Sequence, residues 1–436
     1  MTVQPAAYVP LDPHTLPARL GEVEAVTSRL GADATRWRVR EVGDGNLNLV
    51  FVVEGDAGSL VVKQALPYVR LVGDSWPLPL SRSFYEYHAL TRQSARAPGR
   101  VPEVHHFDET QAIVVMEYLS PHHILRHSLM RGERHANLGE TLGRFCADTL
   151  FRGSDLHMDA AARKADVALF AGNVALCDIT ESLIFTDPYF DAPMNRHTPG
   201  LERAVASLRS DVPLKVAVQH LKHAFCSRAE TLLHGDLHTG SVMVHADDAR
   251  VIDPEFGLYG PMGFDVGMLI ANFVMARCAQ PGHGEDREDY GEWILSVAAA
   301  VWHAFEARFR ELWRTERHGI LYPAALYEDQ GQPEGADRAL DERLDAVRRD
   351  ALGFCGAEIV RRTLGLAHIA EYEEIADEPL RARCEAAGLA IARELILGAS
   401  RIASVDEALA LVRRVAVEHE RDGRTDGARR IEGQGA

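Results

Sequence analysis

The stretch that decides the fold, residues 232–273, reads LLHGDLHTGSVMVHADDARVIDPEFGLYGPMGFDVGMLIANF. It contains three polar clusters in an otherwise apolar segment: HGD at 234–236, DPE at 253–255 and FD at 264–265. Short runs of β-forming residues flank the first two clusters, which predicts a hairpin. Polar loops at the ends of buried strands often carry catalytic residues. The stretch therefore predicts a catalytic hairpin, and a surface hairpin with solvated acids is the alternative.

The carboxylates of this stretch suit phosphoryl transfer. That reaction needs one carboxylate beside the acceptor hydroxyl and others that hold Mg2+ against the phosphates. Asp236 is the candidate base, and Asp253 and Glu255 at the end of the following strand are candidate metal ligands. Ser241 stands where protein kinases have a metal-binding asparagine. Glu255 can supply that ligand, because Mg2+ prefers carboxylate and phosphate oxygens.

Composition is typical of a large globular enzyme. The 436 residues are too many for one ordinary core, so two lobes are expected. The hydrophobic share of 46% and the charged share of 25% fit a globular protein. A formal net charge of −17 argues against nucleic acid as a partner, since phosphate contacts need clustered Lys and Arg.

We expect no targeting segment, membrane span or zinc motif. The N-terminus lacks a basic region followed by an apolar core, and the longest apolar run, 266–276, is too short to span a bilayer. The six cysteines form no CxxC pair, which is typical of reduced thiols, and the histidines show no paired ligand spacing. The sequence therefore predicts a soluble cytoplasmic protein without a membrane partner or a transition metal.

A glycine-containing turn between two strands is predicted near the N-terminus. Residues 36–42 alternate in polarity, and residues 43–53 read GDGNLNLVFVV, a turn followed by a strand. Gly43 and Gly45 would let backbone N–H groups approach phosphate oxygens without a Cβ in the way. Compared with the protein-kinase loop, the third glycine is replaced by Asn48. An ordinary hairpin is the alternative.

A lysine at the end of the next strand strengthens the nucleotide interpretation. Lys63 closes the run LVVK, and in kinase-like folds such a lysine pairs with phosphates and with a helix glutamate. The helix that follows residue 81 makes Glu86 the candidate partner, and an ordinary surface Lys and Glu are the alternative. Between them, Trp76 is either a lid over a small ligand or a packing residue at a lobe surface.

The run AIVVMEYL at 112–119 predicts a buried strand that ends in a polar break. In a bilobal kinase this strand leads to the hinge, whose backbone groups bind the edge of adenine. We therefore expect the hinge at Glu117, Tyr118 and Leu119.

Helical spacing dominates after residue 129. Asp265 precedes an apolar helical run, where it is an N-cap, an acceptor for the backbone of the catalytic loop, or both. Arg361 and Arg362 follow the apolar face of a later helix, and by themselves they indicate a solvated or salt-bridged surface.

The C-terminal third contains two segments that composition marks as irregular. Residues 328–337 are rich in Gly, Gln and acids and predict a flexible loop. Residues 340–370 then predict one or two helices. The tail from Arg421 is rich in Gly, Arg and Asp and is expected to be disordered.

Across both expected lobes the chain resembles one family, the 5-methylthioribose kinases, in the choline-kinase and aminoglycoside-phosphotransferase branch of the protein-kinase-like fold. HGDLH alone occurs throughout that superfamily, but its combination with the glycine loop and the DPEF stretch is much more specific. The strings that carry the resemblance are GDGNLNLVF at 43–51, VVKQALPYVR at 61–70, GDSWPL at 73–78, MEYLSPHHILR at 116–126, HGDLHTGSV at 234–242, VIDPEFGLYGPMGFDVG at 251–267 and RRTLGLAH at 361–368.

The resemblance implies an α+β, bilobal protein-kinase-like fold. Residues 1–119 would form an N-lobe with an antiparallel sheet and a helix, ending at the hinge. Residues 120–420 would form a larger, mainly helical C-lobe, followed by the tail at 421–436. A homodimer is expected, because members of the family are typically dimeric.

The resemblance also implies a reaction: ATP-dependent, Mg2+-assisted phosphorylation of the anomeric hydroxyl of 5-methylthioribose, in methionine salvage. It implies that Asp236 is the catalytic base, and that Asp253 and Glu255 hold the metal. The implied nucleotide contacts are Gly43, Gly45, Asn46, Lys63, Glu117, Tyr118, Leu119, Asp253, Pro254 and Glu255. The implied substrate contacts are Asp236, Arg361, Arg362 and Trp76.

Two other functions compete with this one. A choline or aminoglycoside kinase would bind a cation and would need an acidic acceptor pocket, whereas this chain offers an arginine pair. A nucleotide-binding scaffold without activity would usually have lost one of Lys63, Asp236, Asp253 and Glu255, and all four are present.

Overall fold

A computed structural model describes residues 8–43, 47–69 and 73–433. The strands are β1 (Arg38–Glu41), β2 (Asn48–Glu54), β3 (Ser59–Ala65), β4 (Tyr68–Val69), β5 (Gly73–Pro77), β6 (Val104–Asp108), β7 (Ile113–Glu117), β8 (His123–Ile124), β9 (Thr231–Leu232), β10 (Val242–His245), β11 (Asp248–Val251) and β12 (Tyr259–Gly260). The helices are α1 (Leu16–Leu20), α2 (Glu24–Leu30), α3 (Arg82–Arg96), α4 (Leu125–Arg131), α5 (Leu138–Arg152), α6 (Ala160–Phe170), α7 (Val174–Leu183), α8 (Glu202–Ser210), α9 (Val212–Ser227), α10 (Gly263–His283), α11 (Glu288–Thr315), α12 (Pro333–Leu364), α13 (Ala370–Glu373), α14 (Glu378–Gly398) and α15 (Val405–Gly433).

The N-terminal part is built on one antiparallel sheet with the strand order β1-β2-β3-β7-β6. Val62 on β3 and Val115 on β7 belong to a small apolar core that also contains Trp37 and residues of α1 and α2. Because side chains alternate along a strand, Lys63 leaves the opposite face of β3. That face looks toward α3, where Lys63 meets Glu86. The sheet therefore directs this lysine away from the small core and toward the site.

Helix α10 is the centre of the helical part. Residues 263–280 of this helix are all buried, and it packs against α11, α12 and α14. Glycines let α12 come close: a Cβ at Gly263 would lie 2.6 Å from the carbonyl oxygen of Val347, and one at Gly267 would lie 2.5 Å from that of Ala351. This contact fixes the helix on which the arginine pair lies.

Short strand pairs hold the loops of the central stretch. β10 pairs with β11 in an antiparallel hairpin that β8 extends, and β9 pairs with β12. The HGD loop runs from β9 to β10, and the DPE segment runs from β11 to β12. Both loops therefore cross between the same two small sheets and lie side by side.

The architecture confirms the α+β, bilobal fold predicted from the sequence, with an antiparallel sheet and α3 before residue 117 and mainly helices after it. The lobe boundary between residues 119 and 120 stays a prediction. Among the described residues, no single helix is long and apolar enough to cross a membrane. One pair of helices, Ala160–Phe170 with Val174–Tyr189, passes the same criteria together but is bent by 74°.

Two segments differ from the prediction. Residues 328–337 contain a short 3-10 helix, Glu328–Gln330, and the beginning of α12 at Pro333, because proline is favoured in the first turn of a helix. α12 is one helix that ends at Leu364. The backbone of α15 continues to Gly433, past the beginning of the tail that we expected to be disordered. Arg, Ala and Glu in that tail have good helix propensity.

Candidate active site

The first part of the catalytic loop is fixed through its backbone. The N–H groups of His234 and Gly235 donate to the two carboxylate oxygens of Asp265, at 2.7 and 3.0 Å. Asp265 is therefore the backbone acceptor that the sequence offered as one possibility, whereas the N-cap position of α10 is Met262. Gly235 has φ +87°, and a Cβ there would lie 2.2 Å from the carbonyl oxygen of Phe256. A side chain at position 235 would separate the two loops.

The second part of the loop is closed by Ser241. Its hydroxyl donates to the carbonyl oxygen of Asp236 at 3.1 Å and accepts the N–H of His238 at 2.9 Å. The hydroxyl is thus used to hold the turn around Asp236. Ser241 does not take the place of a metal-binding asparagine, because its hydroxyl bonds to the loop itself.

Asp236 lies between three basic side chains. One carboxylate oxygen, Oδ1, is 3.0 Å from Nη2 of Arg362 and 3.4 Å from Nη1 of Arg361. The other, Oδ2, is 3.4 Å from Nε2 of His238. Nδ1 of His238 accepts the N–H of Gly240 at 2.9 Å, so a neutral imidazole carries its proton on Nε2, toward Asp236.

These neighbours decide the ionisation of Asp236. Burial raises the pKa of this carboxyl, but the interaction with His238, including its N–H, and the positive charges of Arg362 and Arg361 outweigh burial and hold the pKa well below its ordinary value. Burial also lowers the pKa of His238, which favours the neutral ring. Asp236 is therefore a carboxylate at neutral pH, and 19% of its side chain is exposed.

The arginine pair is held by a buried acid one helical turn before it. Glu358 on α12 accepts from Nε of Arg362 at 2.6 Å and from Nη1 of Arg361 at 3.1 Å. Positions three and four residues apart lie on one face of a helix, so a single carboxylate reaches both guanidinium groups. The arginines therefore do not form the solvated helix surface that their sequence alone indicates, and Glu358 is a residue that sequence reasoning missed.

A second group of charges lies around the DPE segment. One carboxylate oxygen each from Glu86, Asp253 and Glu255 lie within 4.8 Å of one another. Lys63 Nζ is 2.8 Å from Glu86 and also forms an ion pair with Asp253. Asp253 has φ +69°, a left-handed conformation that is uncommon for a residue with a side chain and that concentrates at functional sites.

The acids in this group repel one another, and Lys63 compensates them. Burial lowers the pKa of Lys63. The negative charges of Asp253, Glu86 and Glu255 raise this pKa by more than burial lowers it, so the amine stays charged. Burial raises the pKa of Asp253, but Lys63 reverses that effect and the pKa lies below its ordinary value. The negative charge of Asp236 raises the pKa of Asp253, so the two loops are close enough for their carboxylates to repel each other.

Glu255 is held from the N-terminal part of the chain. Its Oε2 accepts from Nδ2 of Asn48 at 3.1 Å and forms an ion pair with Nε of Arg82 at 3.4 Å. Asn173 fixes the backbone, because its amide donates to the carbonyl oxygens of Glu255 and Gly257. Asn48 replaces a glycine of the kinase loop, and Arg82 stands one turn before Glu86 on α3. The four-residue spacing from Glu86 was the available signal for Arg82.

The expected hinge lies at the end of β7. The N–H of Glu117 donates to the carbonyl oxygen of Glu103, and its carboxylate accepts the N–H of Glu103. These contacts use the amide and the side chain of Glu117 within the sheet. Tyr118 and Leu119 follow the last residue of the strand, and Leu119 is buried.

The remaining predicted contacts are distributed around the DPE segment. Trp76 on β5 is half-buried and packs against an apolar cluster that contains Phe256, the residue after Glu255. Pro254 is buried between the two acids. A Cβ at Gly43 would meet no atom of the described residues within 4 Å, so that part of the chain gives no steric reason for glycine there. Gly45 and Asn46 lie outside the described residues.

Comparisons with known proteins show the family of this chain. The phosphotransferase enzyme family matches residues 38–300. Methylthioribose kinase of Escherichia coli O45:K1 (strain S88 / ExPEC) is 42% identical over 93% of this chain and 97% of its own length. Methylthioribose kinase 1 of Oryza sativa subsp. japonica is 40% identical over 92% of this chain and 94% of its own length.

Among solved structures, a choline/ethanolamine kinase family protein from Mesorhizobium loti aligns with 92% of this chain and 99% of its own. Its identity of 15% and its TM-score of 0.41 are too low to support an argument about the site. The family assignment therefore follows from the sequence relatives, which match at high identity along nearly the whole chain. This chain belongs to the methylthioribose kinase family, within the phosphotransferase enzyme family.

Proposed function

We propose that this protein transfers the terminal phosphoryl group of ATP to the anomeric 1-hydroxyl of 5-methylthioribose, giving 5-methylthioribose 1-phosphate in methionine salvage. The observation that carries the proposal is the contact of Asp236 with both Arg361 and Arg362, beside the group of Lys63 and the DPE acids. A base beside an arginine pair suits a neutral sugar that becomes an anionic phosphate ester. Relatives named methylthioribose kinase at 40 and 42% identity support the choice of sugar.

The nucleotide would lie between the sheet and the DPE segment. Lys63 is oriented by Glu86 at 2.8 Å and supplies the positive charge that phosphates need. Main-chain groups of the expected hinge, at Glu117, Tyr118 and Leu119, would bind the adenine edge. The implied contacts that close the phosphate side are Gly43, Gly45, Asn46 and Pro254.

The acids of the DPE segment suit a divalent cation. Asp253 and Glu255 each present an oxygen to the same point, and carboxylate oxygens are the ligands that Mg2+ prefers. Lys63 contacts both Glu86 and Asp253, and the resemblance to the family implies that Asp253 and Glu255 are the residues that would hold the ion. Bound Mg2+ neutralises charge on the phosphates. With 46% of its side chain exposed, Asp253 is accessible from the cleft.

The sugar would bind at Asp236. This residue orients the anomeric hydroxyl and accepts its proton, and its low pKa keeps it ionised for that role. A low pKa also makes it a weak base, which suits phosphoryl transfer because the transition state is loose and positioning dominates. Arg361 and Arg362 bind the sugar and stabilise charge on the transferred group. Trp76 would cover the substrate from β5.

The experiment that tests the proposal is a substrate comparison. ADP release would be measured with Mg2+ and ATP on 5-methylthioribose, ribose, choline and an aminoglycoside in parallel. We expect turnover on the thioribose alone, with a sugar 1-phosphate as product. Turnover confined to a cationic acceptor would overturn the substrate assignment and keep the kinase site. Nucleotide binding without turnover on any acceptor would favour the scaffold.

The same proposal includes a cytoplasmic homodimer. All six cysteines are free, as expected for a reducing compartment. The dimer is inferred from the family, whose members are typically dimeric. Light scattering tests it, and the expected mass is twice the chain mass of 48.1 kDa.

A further inference from the structure

Arg82 is a fully buried arginine at the beginning of α3, and its contacts are spread over separate parts of the chain. Nη1 donates to the carbonyl oxygen of Leu66 at 2.5 Å, and Nη2 donates to Oδ1 of Asn48 at 2.9 Å and to the carbonyl oxygen of Leu47. Nε faces Glu255. The planar fork of arginine can serve these directions at once, which the single ammonium of lysine cannot.

The two contacts on Glu255 fall on the same oxygen. Nδ2 of Asn48 donates a hydrogen bond to Oε2, Nε of Arg82 lies in ion-pair contact with the same oxygen at 3.4 Å, and Asn48 is itself held by Arg82 through Oδ1. Within residues 8–43, 47–69 and 73–433, no side chain or backbone N–H donates to Oε1 of Glu255. One oxygen is therefore bound to the protein, and the other remains for a ligand.

We propose that Arg82, together with Asn48, is the positioning pair that fixes Glu255 so that its Oε1 receives the divalent cation. The inference rests on the proposed function, because it concerns the metal of that same site. It assigns to the N-terminal part of the chain a share in building a metal ligand that belongs to the C-terminal part. Asn48 begins β2, so the orientation of Glu255 is coupled to the strand that follows the glycine-containing turn predicted from the sequence.

Charge balance gives a physical reason for an arginine here. Glu86, Asp253 and Glu255 place three carboxylates around Lys63, and one ammonium does not neutralise them. Arg82 adds the second positive charge from inside the protein, where it competes with no ligand because it is fully buried. Burying an acid without a positively charged partner is costly, and Arg82 is such a partner for Glu255.

The test is the dependence of nucleotide binding on Mg2+. Calorimetry would measure ADP binding with Mg2+ and with EDTA for the wild type, Arg82→Lys and Asn48→Ala. We expect Arg82→Lys to reduce the Mg2+-dependent gain in affinity at least about ten-fold, because the unforked side chain of lysine cannot keep both the buried ion pair with Glu255 and the hydrogen bond that holds Asn48. The affinity for ADP in EDTA should change less than about two-fold, because Lys63 and the expected hinge are unaltered. Asn48→Ala should act in the same direction and more weakly.

Two comparisons separate positioning from a merely structural role. Arg96→Met removes another buried arginine from α3, one that pairs with Asp166 outside the site, and should keep the full Mg2+ gain. In a Glu255→Gln background, Arg82→Lys should cause no further loss, because its effect passes through Glu255.

A full Mg2+ gain in both Arg82→Lys and Asn48→Ala would overturn the inference, as would additive losses with Glu255→Gln. If Arg82→Lys does not fold, Asn48→Ala decides, since it leaves the backbone contacts of Arg82 in place. Wild-type turnover of 5-methylthioribose, measured separately, shows whether a failure belongs to this inference or to the proposed function.

Discussion

Asp236 is an anion whose charge is already balanced before any substrate arrives. Arg361 and Arg362 contact one oxygen and His238 faces the other, so the carboxylate is both ionised and fixed in direction. A hydroxyl that binds here meets an acceptor of known orientation. The cost is low basicity, which is tolerable because phosphoryl transfer depends more on alignment than on early proton removal.

At this residue, Asp236→Asn should remove turnover and leave nucleotide binding intact. We expect kcat to fall by on the order of 10³, within the range for loss of a general base, because the amide cannot accept the proton. ADP affinity should stay within about two-fold, since Lys63 and the DPE acids are unchanged. Asp247→Asn, at an exposed acid in the β10–β11 turn, is the control. A folded Asp236→Asn protein that no longer binds ADP would contradict the assigned role.

Glu385 on α14 is a second buried acid, with a different consequence. Burial raises its pKa from 4.5 to about 7, and its Oε2 has no hydrogen-bond partner. Between pH 4.5 and 7 the folded protein keeps a proton that the unfolded chain loses, so the free energy of unfolding falls as pH rises through this window.

Glu385→Gln should therefore stabilise the protein at pH 8 and have little effect at pH 5. The expected gain at pH 8 is about 3 kcal/mol, because the pKa rises from 4.5 to about 7 and each unit is worth roughly 1.4 kcal/mol. Thermal unfolding at the two pH values measures it, with Glu394→Gln at an exposed position of the same helix as control. An equal gain at both pH values would exclude the titration of Glu385 as the cause.

Among the elements, α12 brings the arginine pair to the site as a unit. α10 fixes the position of the helix through Gly263 and Gly267, and Glu358 fixes the two guanidinium groups on it. Glu358 has no exposed side-chain surface, and its carboxylate forms ion pairs with both guanidinium groups. The helix thus delivers two positive charges in one orientation, through one buried acid.

Glu358→Gln should weaken sugar binding without changing nucleotide binding. The amide keeps the shape of the side chain but turns one acceptor into a donor that faces a guanidinium group, so the arginines lose their orientation. We expect KM for 5-methylthioribose to rise about ten-fold or more, and KM for ATP to change less than about two-fold. Glu342→Gln, at an exposed acid of the same helix, is the matched control. An unchanged KM for the sugar would show that Glu358 does not position the pair.

Local patterns predicted the elements better than the contacts between them. The Lys63 strand, the α3 helix with Glu86, and the two loops of the central stretch follow from periodicity and motif spacing. The spacing from Glu86 places Arg82 on the same helix face, but it could not reveal the contact with Glu255, because that partner is more than 170 positions away in the chain. For Arg361 and Arg362, the resemblance was needed, since a helix face alone does not indicate what covers it.

At the scale of the whole molecule, charged and polar side chains of the sheet part and the helical part contact each other at the site. Lys63 pairs with Asp253, and Asn48 and Arg82 both reach Glu255. Each contact joins a residue before the expected hinge to one after it. The acids of the DPE segment therefore hold the two parts of the chain together as well as facing the proposed metal. A ligand bound beside these acids would contact both the sheet part and the helical part.

Magnesium nucleotide should consequently stabilise the whole chain more than nucleotide alone. In the proposed site, ADP would contact the sheet side through Lys63, and only with Mg2+ would it also engage Asp253 and Glu255 on the other side. A ligand at one hundred times its Kd adds about 2.7 kcal/mol to the free energy of unfolding, so tighter binding appears directly as a higher Tm.

Thermal melts with ADP and Mg2+, ADP and EDTA, and Mg2+ alone would be compared for the wild type and Glu255→Gln. We expect the highest Tm with ADP and Mg2+ in the wild type, and loss of the difference between Mg2+ and EDTA in Glu255→Gln. Equal melting temperatures with Mg2+ and EDTA in the wild type would mean that the DPE acids hold no metal against the nucleotide.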